Sequence, residues 1–332
     1  MKKFLVLFLM VIPLVAFSAT IVDLFQSAQA SNTTFTIAQL NLKLANMNYD
    51  KAMIQASNKG EKLSAELNHV SSLISYTNNL KGYYEQIDDA VFKVLTSEID
   101  LEVGKLNLQA AIINYNNSES LFKKSLISEN DLKEVSITAS NSQNQLKNLE
   151  WEYNDAVKNF KQTTGSDWKD IEISIPKFES LPASQSVWMK NDLSVESADL
   201  NLQIAQYNLQ NIPSNSSEYT KEIAQIQVKK SEINYENAQL SSEESFLSSK
   251  QNLEFTYTSL LNSKKSLEIS YENLKDMKLR YDQGLVSETD YINQRIQYLN
   301  AKENYYKSLN KCWNALCTYL ISFNLKPEEA LK

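Results

Sequence analysis

The sequence predicts an all-α protein of very long antiparallel helices and helical hairpins, arranged as two internal repeats. Three observations support this fold class. The 332-residue chain contains only five Gly and five Pro, so it has little material for turns. Apolar residues recur at heptad spacing over stretches of about 60 residues. One turn pattern also occurs twice, with Ser128 and Ser287 at corresponding places 159 residues apart.

The start of the chain is typical of a secretory signal peptide, which we assign to residues 1–19. A basic start, Met1-Lys2-Lys3, precedes the apolar run from Phe4 to Phe17. The small residues that supply a cleavage site are Ala16, Ser18 and Ala19. We therefore expect an exported protein. No Cys follows the run to mark a lipoprotein anchor, and no later segment reaches the roughly 18 apolar residues of a membrane helix.

The first repeat is predicted to span residues 36–165. A short helix from Thr36 to about Asn58 is followed by a long one from Glu61 to about Lys124, which lacks Pro and would be about 90 Å long. A third helix ends at Gly165. Residues 166–194 then form a linker, with at most one short strand at Ile171–Ile175 before Pro176.

The second repeat is predicted to span residues 195–324, with a charged tail at 325–332. Its first helix, at Leu200–Asn208, echoes Leu40–Asn48, and the break at Ile212–Ser217 leads into a second long helix. The last helix runs from Thr289 to about Phe323. In each repeat, the two shorter helices together match the long one, so they can stack end to end beside it. The chain would then present four helical columns.

The two repeated turns are the candidate functional sites. Gly284 can adopt the left-handed conformation that ends a helix, and Ser287 can cap the next one. The turns either simply join helices or, as exposed tips with apolar side chains, dock a partner. The candidate docking residues are Leu126, Ile127, Ser128 and Asp131 in the first turn, and Arg280, Gly284, Leu285, Val286, Ser287 and Asp290 in the second.

The sequence offers no candidate for catalysis, cofactor binding or metal binding. His69 is the single histidine and is expected to be exposed, which excludes histidine pairs within one chain. Adjacent carboxylates occur at Asp88-Asp89, Glu243-Glu244 and Glu328-Glu329, and we interpret them as solvated surface. Cys312 and Cys317 are expected to be small core residues rather than a disulfide, since they lie about 140° apart around a helix. The net charge of -7 argues against a nucleic-acid partner.

A family resemblance rests on the second turn and the helix after it. The residues that carry it are Arg280-Tyr-Asp-Gln-Gly284, Ser287, Asp290, Asn300-Ala301, Tyr305-Tyr306 and Ala315. They resemble the periplasmic tip and returning helix of the TolC-like outer-membrane efflux proteins. The duplication, the signal peptide and the linker are also similar to that family. The resemblance implies a homotrimeric, passive tunnel that works with a periplasmic adaptor and an inner-membrane pump in efflux or type I export.

One feature departs from the family. The resemblance implies membrane strands around Ser57 to Lys81 and Asn211 to Glu222. The first stretch instead keeps a helical period, and the second is a short Pro-Ser-Asn turn, so the usual barrel strands are expected to be lacking. We therefore expect the protein in the periplasm, or against the inner face of the outer membrane, with another component completing any path outward.

Two functions follow from these predictions. The first is a tunnel component of an export system without chemistry of its own. The alternative is an elongated coiled-coil spacer or scaffold of the cell envelope that conducts nothing. An adjacent adaptor and pump gene would favour the first, whereas envelope-assembly neighbours would favour the second.

Overall fold

The computed structural model describes residues 19–168, 171–176 and 181–331, and most of them are helical, as predicted. The elements in chain order are β1 (Ala19–Thr20), α1 (Ile21–Ser27), a 3-10 turn (Ala28–Ala30), α2 (Thr33–Gln55), α3 (Lys59–Lys123), α4 (Glu129–Thr164), β2 (Ile171–Glu172), α5 (Gln185–Asn191), α6 (Leu193–Gln210), α7 (Glu218–Asp282), α8 (Glu288–Ser322) and α9 (Pro327–Ala330). Apart from Ala19, the predicted signal peptide lies outside the described residues.

Two helices of 65 residues, α3 and α7, dominate the fold. Each is about 100 Å long at a rise of 1.5 Å per residue. Both begin at a polar cap: the Asn58 side chain accepts the Glu61 N–H at 2.9 Å, and the Ser217 hydroxyl accepts the Thr220 N–H at 3.2 Å. Because neither helix contains Pro, nothing in the backbone interrupts them before the turns that follow.

The helices form a row of four columns. On one side of α3 lie α2 and, further along, α4; on the other side lie α6 and then α8. The last column is α7, which packs against α6 and α8. This arrangement confirms the prediction that two shorter helices share the length of one long helix. It also confirms the all-α class of long antiparallel hairpins.

The two helix breaks lie at the end of the molecule opposite the repeated turns. Residues 56–58 separate α2 from α3, and residues 211–217 separate α6 from α7. As predicted, the stretch that follows the first break is helical, and the second break is a short turn. Of the helices in the described part of the chain, none combines the length and apolar character needed to cross a membrane.

The largest core lies near the middle of the columns, and we call it the equatorial core. It joins α1 and α5 to the middle of α3, the middle of α7 and the end of α8, and Leu331, just after α9, packs against it. Trp188 of α5 packs its ring 5.7 Å from Phe246 and 5.2 Å from Phe323. A two-stranded parallel pairing of β1 with β2 lies beside it, so the short strand predicted at Ile171–Ile175 is confirmed only in its first two residues.

Three predictions of exposed side chains are wrong. Asp88 is completely buried, and Glu328 is 4% exposed. The burial of each depends on tertiary packing, which for Glu328 includes contacts to Tyr84 and Gln29, and the local pattern does not indicate it. His69 is half-buried: its Nε2 lies 2.8 Å from Asn46 Oδ1, and its ring stacks on Tyr49. By contrast, the prediction for the two cysteines is confirmed, since both are buried and unbonded to each other.

Gly104 allows α3 and α4 to pack closely against each other. A Cβ atom on Gly104 would lie 2.5 Å from Leu149 Cδ1, whereas one on Gly82 of the same helix would meet nothing within 4 Å. We expect Gly104→Leu to lower the free energy of unfolding by about 1–3 kcal/mol through overpacking. The matched control Gly82→Leu should raise it by up to about 0.8 kcal/mol through helix propensity.

Denaturant titration followed by circular dichroism measures both changes. Equal effects of the two substitutions would show that α4 does not depend on close approach at Gly104.

Candidate assembly and docking surfaces

The row of columns leaves two long edges on the chain. One edge consists of α2 and α4, which pack on α3 from the same side, and the other consists of α7. An interior helix of such a row has neighbours on both sides, but an edge helix has a neighbour on one side within the chain. The outward faces of these edge helices are therefore the places to look for a partner.

The outward face of α2 carries an apolar heptad seam. Phe35 and Ala38 are buried within the chain, but five larger apolar residues of the same helix are more than half exposed. These residues are Ile37, Leu40, Leu44, Met47 and Ile54. Their spacing follows the a and d positions of a coiled coil, with Ile37 and Leu44 at a and the other three at d. A soluble helix normally buries such a seam against another helix.

The outward face of α7 carries a second seam. Tyr219, Ile226, Ile233, Leu240 and Leu247 follow one another at intervals of seven residues, and each is 45–73% exposed. Ile223, half exposed, supplies the companion position four residues after Tyr219. Further along α7, Phe255, Ile269 and Leu279 are also exposed. Exposed apolar side chains thus continue along the second edge beyond the heptad seam.

The part of the first edge nearest the repeated turns is formed by α4. This helix also exposes large apolar side chains. Ile137 is 61% exposed and Trp151 is 66% exposed, and the two are two heptads apart. Inside the chain, α4 buries Ala156 and Phe160. Both edges therefore expose apolar side chains in the half of the molecule near the helix breaks and in the half near the repeated turns.

The two repeated turns share one backbone design, the Schellman motif. In the first, the Leu126 N–H donates to the Leu121 carbonyl at 3.0 Å; in the second, the Leu285 N–H donates to the Arg280 carbonyl at 2.9 Å. This motif needs a left-handed residue just past the helix. Gly284 fills that place with φ of 70°, but the first turn has Ser125 there, with φ of 57°.

Each turn then starts the next helix with a capping box. Ser128 and Asp131 exchange hydrogen bonds in the first turn, as do Ser287 and Asp290 in the second. These bonds from the serine, together with its backbone N–H, lower the pKa of each aspartate. Both carboxylates therefore stay ionised at the start of a helix, where negative charge is favourable.

The predicted docking residues occupy the ends of these turns. Leu126 and Leu285 are about two-thirds exposed, at 67% and 66%, whereas Ile127 and Val286 are half-buried. Arg280 is exposed in the last turn of α7. The second turn is further held by Tyr281 and Tyr291, whose stacked rings lie 5.0 Å apart. Each turn thus offers one exposed leucine on a rigid, capped support.

The two turns lie at the same end of the molecule but at different heights. Gln109 of α3 donates to Glu288, the first residue of α8, at 2.8 Å. From Gln109, α3 continues to Lys123, a further rise of about 20 Å. The first turn therefore projects beyond the second. This difference in height arises because packing sets the register between α3 and α8.

The two turns can be predicted from the sequence, but the matched pair of edge seams cannot. The heptad pattern of α2 predicts a helix but not a partner for its outward face. Which face of each helix stays open depends on the order of the columns, and that order is a tertiary property.

Comparisons with known proteins place the fold among outer-membrane channels. A scan against protein-family models finds no match, and neither does a search of curated proteins. Among solved structures, the outer membrane protein VceC of Vibrio cholerae has a TM-score of 0.59 at 10% identity, covering 92% of this chain and 96% of that one.

Two other solved structures are similar in the same way. For the CmeC channel of Campylobacter jejuni the TM-score is 0.55 at 12% identity, covering 91% and 84% of the two chains. For the open-state MtrE channel of Neisseria gonorrhoeae it is 0.56 at 11% identity, covering 93% and 89%. At these identities the likeness shows the helical fold, and the expected TolC-like architecture is confirmed at that level.

The left-handed residue in each turn gives a second prediction. A non-glycine residue in this conformation is strained by about 1 kcal/mol, so Ser125→Gly should tighten the first turn and Gly284→Ser should loosen the second. We expect hydrogen exchange at the Leu126 amide to slow, and exchange at the Leu285 amide to quicken, by about fivefold in each case. If both amides keep their original rates, the left-handed residue does not limit the stability of the turns.

Proposed function

We propose that several copies of this chain close side by side into a ring, which serves as a passive tunnel in an efflux or type I export system of the bacterial envelope. The observation that supports this most strongly is the pair of apolar seams on opposite edges of one chain. A surface on one edge that fits the opposite edge of the next copy makes a head-to-tail contact, which generates a closed ring when the rotation closes. The family resemblance implies three copies.

The seams match in height. Gln39 of α2 contacts Tyr76 of α3 and Asn46 contacts His69, so Ile54 is level with the first turn of α3. Tyr207, near the end of α6, is level with Gly60 in that same turn. Since α7 starts just after α6 ends, its first turns lie at this level as well. The α2 seam and the seam of α7 from Tyr219 to Leu247 therefore occupy the same half of the molecule.

The seams also match in register. The two helices run in opposite directions, and in antiparallel coiled coils the a positions of one helix face the d positions of the other. With the heights above, this rule sets Ile54 opposite Ile223, Leu44 opposite Ile233, and Ile37 opposite Leu240. The pairs between them include Met47 with Lys230 and Lys51 with Ile226, where the aliphatic part of each lysine can cover the seam.

Cysteine cross-linking tests this interface. In a chain with Leu44→Cys and Ile233→Cys, oxidation should give a ladder of covalent oligomers, because the two Cα atoms would lie within disulfide distance across the contact. The matched control combines Leu44→Cys with Leu240→Cys, which displaces one partner by seven residues, or about 10 Å. The native cysteines are buried and should not contribute.

Cross-linking of the control pair alone would overturn the register. The absence of oligomers from both pairs, at protein concentrations found in the periplasm, would overturn the assembly itself.

We further propose that the turns dock a periplasmic adaptor, which connects the ring to an inner-membrane pump. Support comes from the exposed leucine on each turn and from the rigid capped helices that present it. The docking residues are the ten candidates at the two turns, and Asp131 and Asp290 act by fixing the turns rather than by contact. The chain itself would contribute no catalysis.

Removal of the apolar tips tests docking. We expect Leu126→Asp combined with Leu285→Asp to abolish co-purification with a periplasmic adaptor, since each change places a charge in an apolar contact. Helicity should be unchanged because both side chains point into solvent. The control pair Asn130→Asp and Gln283→Asp adds the same charge beside the leucines and should retain binding. Undiminished co-purification of the leucine variant would show that the turns only join helices.

A further inference from the structure

The hairpin formed by α3 and α4 extends beyond the hairpin formed by α7 and α8. Gln109 is level with the start of α8, and α3 continues past that level to Lys123, a rise of about 20 Å. Helix α4 accompanies α3 over this distance, because Leu149 is level with Gly104 and α4 begins at Glu129. We call residues 110–143, which include the first turn, the projecting hairpin.

The projecting hairpin has almost no core and carries a charge-free band. Both of its helices are described over their whole lengths, and no residue of α3 after Ala111 or of α4 before Ala156 is buried. Residues 106–118 of α3 and residues 135–146 of α4 contain no Asp, Glu, Lys or Arg. These two stretches lie side by side because the helices are antiparallel. Depletion of charge is typical of the core of a protein interface, whereas a solvated helix face normally carries charges.

The side of α4 that points away from α3 carries an exposed isoleucine. Ile137 is 61% exposed, and Asn130 and Asn144, one heptad to either side, are exposed as well. The partly buried residues of this segment lie on the opposite side of α4, and they are Leu132, Val135, Ala139, Ser142, Leu146 and Leu149. Ile137 therefore faces away from its own hairpin, toward whatever lies beside it.

The side of α3 that points away from α4 is small and neutral. Ile113 follows Leu106 by one heptad and is the last residue of this row that packs against the cluster shared with α8. One heptad further on, the row continues with Ser120, which is exposed. Both outward sides of the projecting hairpin thus allow another helix to approach closely.

In the proposed ring, the projecting hairpins alternate with gaps. The second turn forms the floor of each gap, with Leu285 and Arg280 exposed there. The walls are α3 of one copy and α4 of the next copy. Each gap is as wide as α7 and α8 side by side, about 20 Å, and about 20 Å deep. Two antiparallel helices have that width, so the gap fits one helical hairpin and is too wide for a single helix.

We propose that the periplasmic adaptor inserts a helical hairpin into each gap, so that α3 and α4 contact its sides and the second turn contacts its end. This inference rests on the proposed ring and docking function, and it adds the depth and the chemistry of the contact. The inserted hairpin reaches about 13 residues past the first turn and has uncharged sides. Contact through the first turn alone would leave the charge-free walls and Ile137 in water.

Photo-cross-linking tests the insertion in the complex with the adaptor that co-purifies with the native chain. Replacement of Ile137 by the photoreactive residue p-benzoyl-phenylalanine should give an adduct with the adaptor. The matched control is the same replacement at Trp151, which is 66% exposed and lies two heptads along the same side of α4. Because Trp151 is about 20 Å nearer the middle of the molecule, the neighbouring copy should cover it, and the adduct should join two chains.

The adducts separate the insertion from the function on which it rests. An adaptor adduct at Ile137 with a chain-to-chain adduct at Trp151 supports insertion. An adaptor adduct from Leu126 but none from Ile137, or a chain-to-chain adduct at Ile137, would overturn insertion and leave the ring intact. The lack of a chain-to-chain adduct at Trp151 would refute the ring and its gaps, and the lack of any co-purifying adaptor would refute docking altogether.

A charge on the wall provides an independent measurement. Ile137→Asp should lower the affinity for the adaptor about tenfold, because the carboxylate would enter a neutral contact. Thr138→Asp places the same charge on the next residue, also exposed and about 100° around the helix, and should keep the native affinity. Circular dichroism should show equal helicity in both variants. Equal affinities of the two variants would contradict insertion.

Discussion

The length of α3 determines how the other helices must be arranged. A helix of about 100 Å cannot bury its apolar faces against itself, and its intrinsic stability in water is small without tertiary packing. The chain meets this demand by placing α2 and α4 on one side and α6 and α8 on the other. The internal duplication supplies the second pair, and the two breaks let shorter helices follow one another along α3.

The same solution leaves α7 with neighbours on only one side, although it is as long as α3. Its exposed heptad, from Tyr219 to Leu247, therefore faces outward, as does the seam of α2. A single chain cannot cover both seams, because the row of columns is open. In the proposed ring, a neighbouring copy covers each of them, and repetition of that contact would close the row into a tunnel. Assembly and tunnel formation would then be one physical event.

Much of the fold could be predicted from the sequence, because long heptad patterns and the residues Gly284 and Ser287 act locally. What could not be predicted depends on packing between distant segments. Asp88 lies on the buried face of α3, one turn after Tyr84, but only tertiary packing removes it from water. Likewise, the stagger between the two turns is set by the register of α3 against α8, which neither turn encodes. The candidate docking leucines were predicted, whereas the matched seams were not.

In the proposed assembly, the two edges of one chain close on those of its neighbours around an open passage. Electron microscopy of the purified mature protein in end-on view tests this arrangement. We expect a closed ring of helical columns about 100 Å deep with an empty centre. A population made only of isolated four-column chains, or of pairs joined through identical edges, would contradict it.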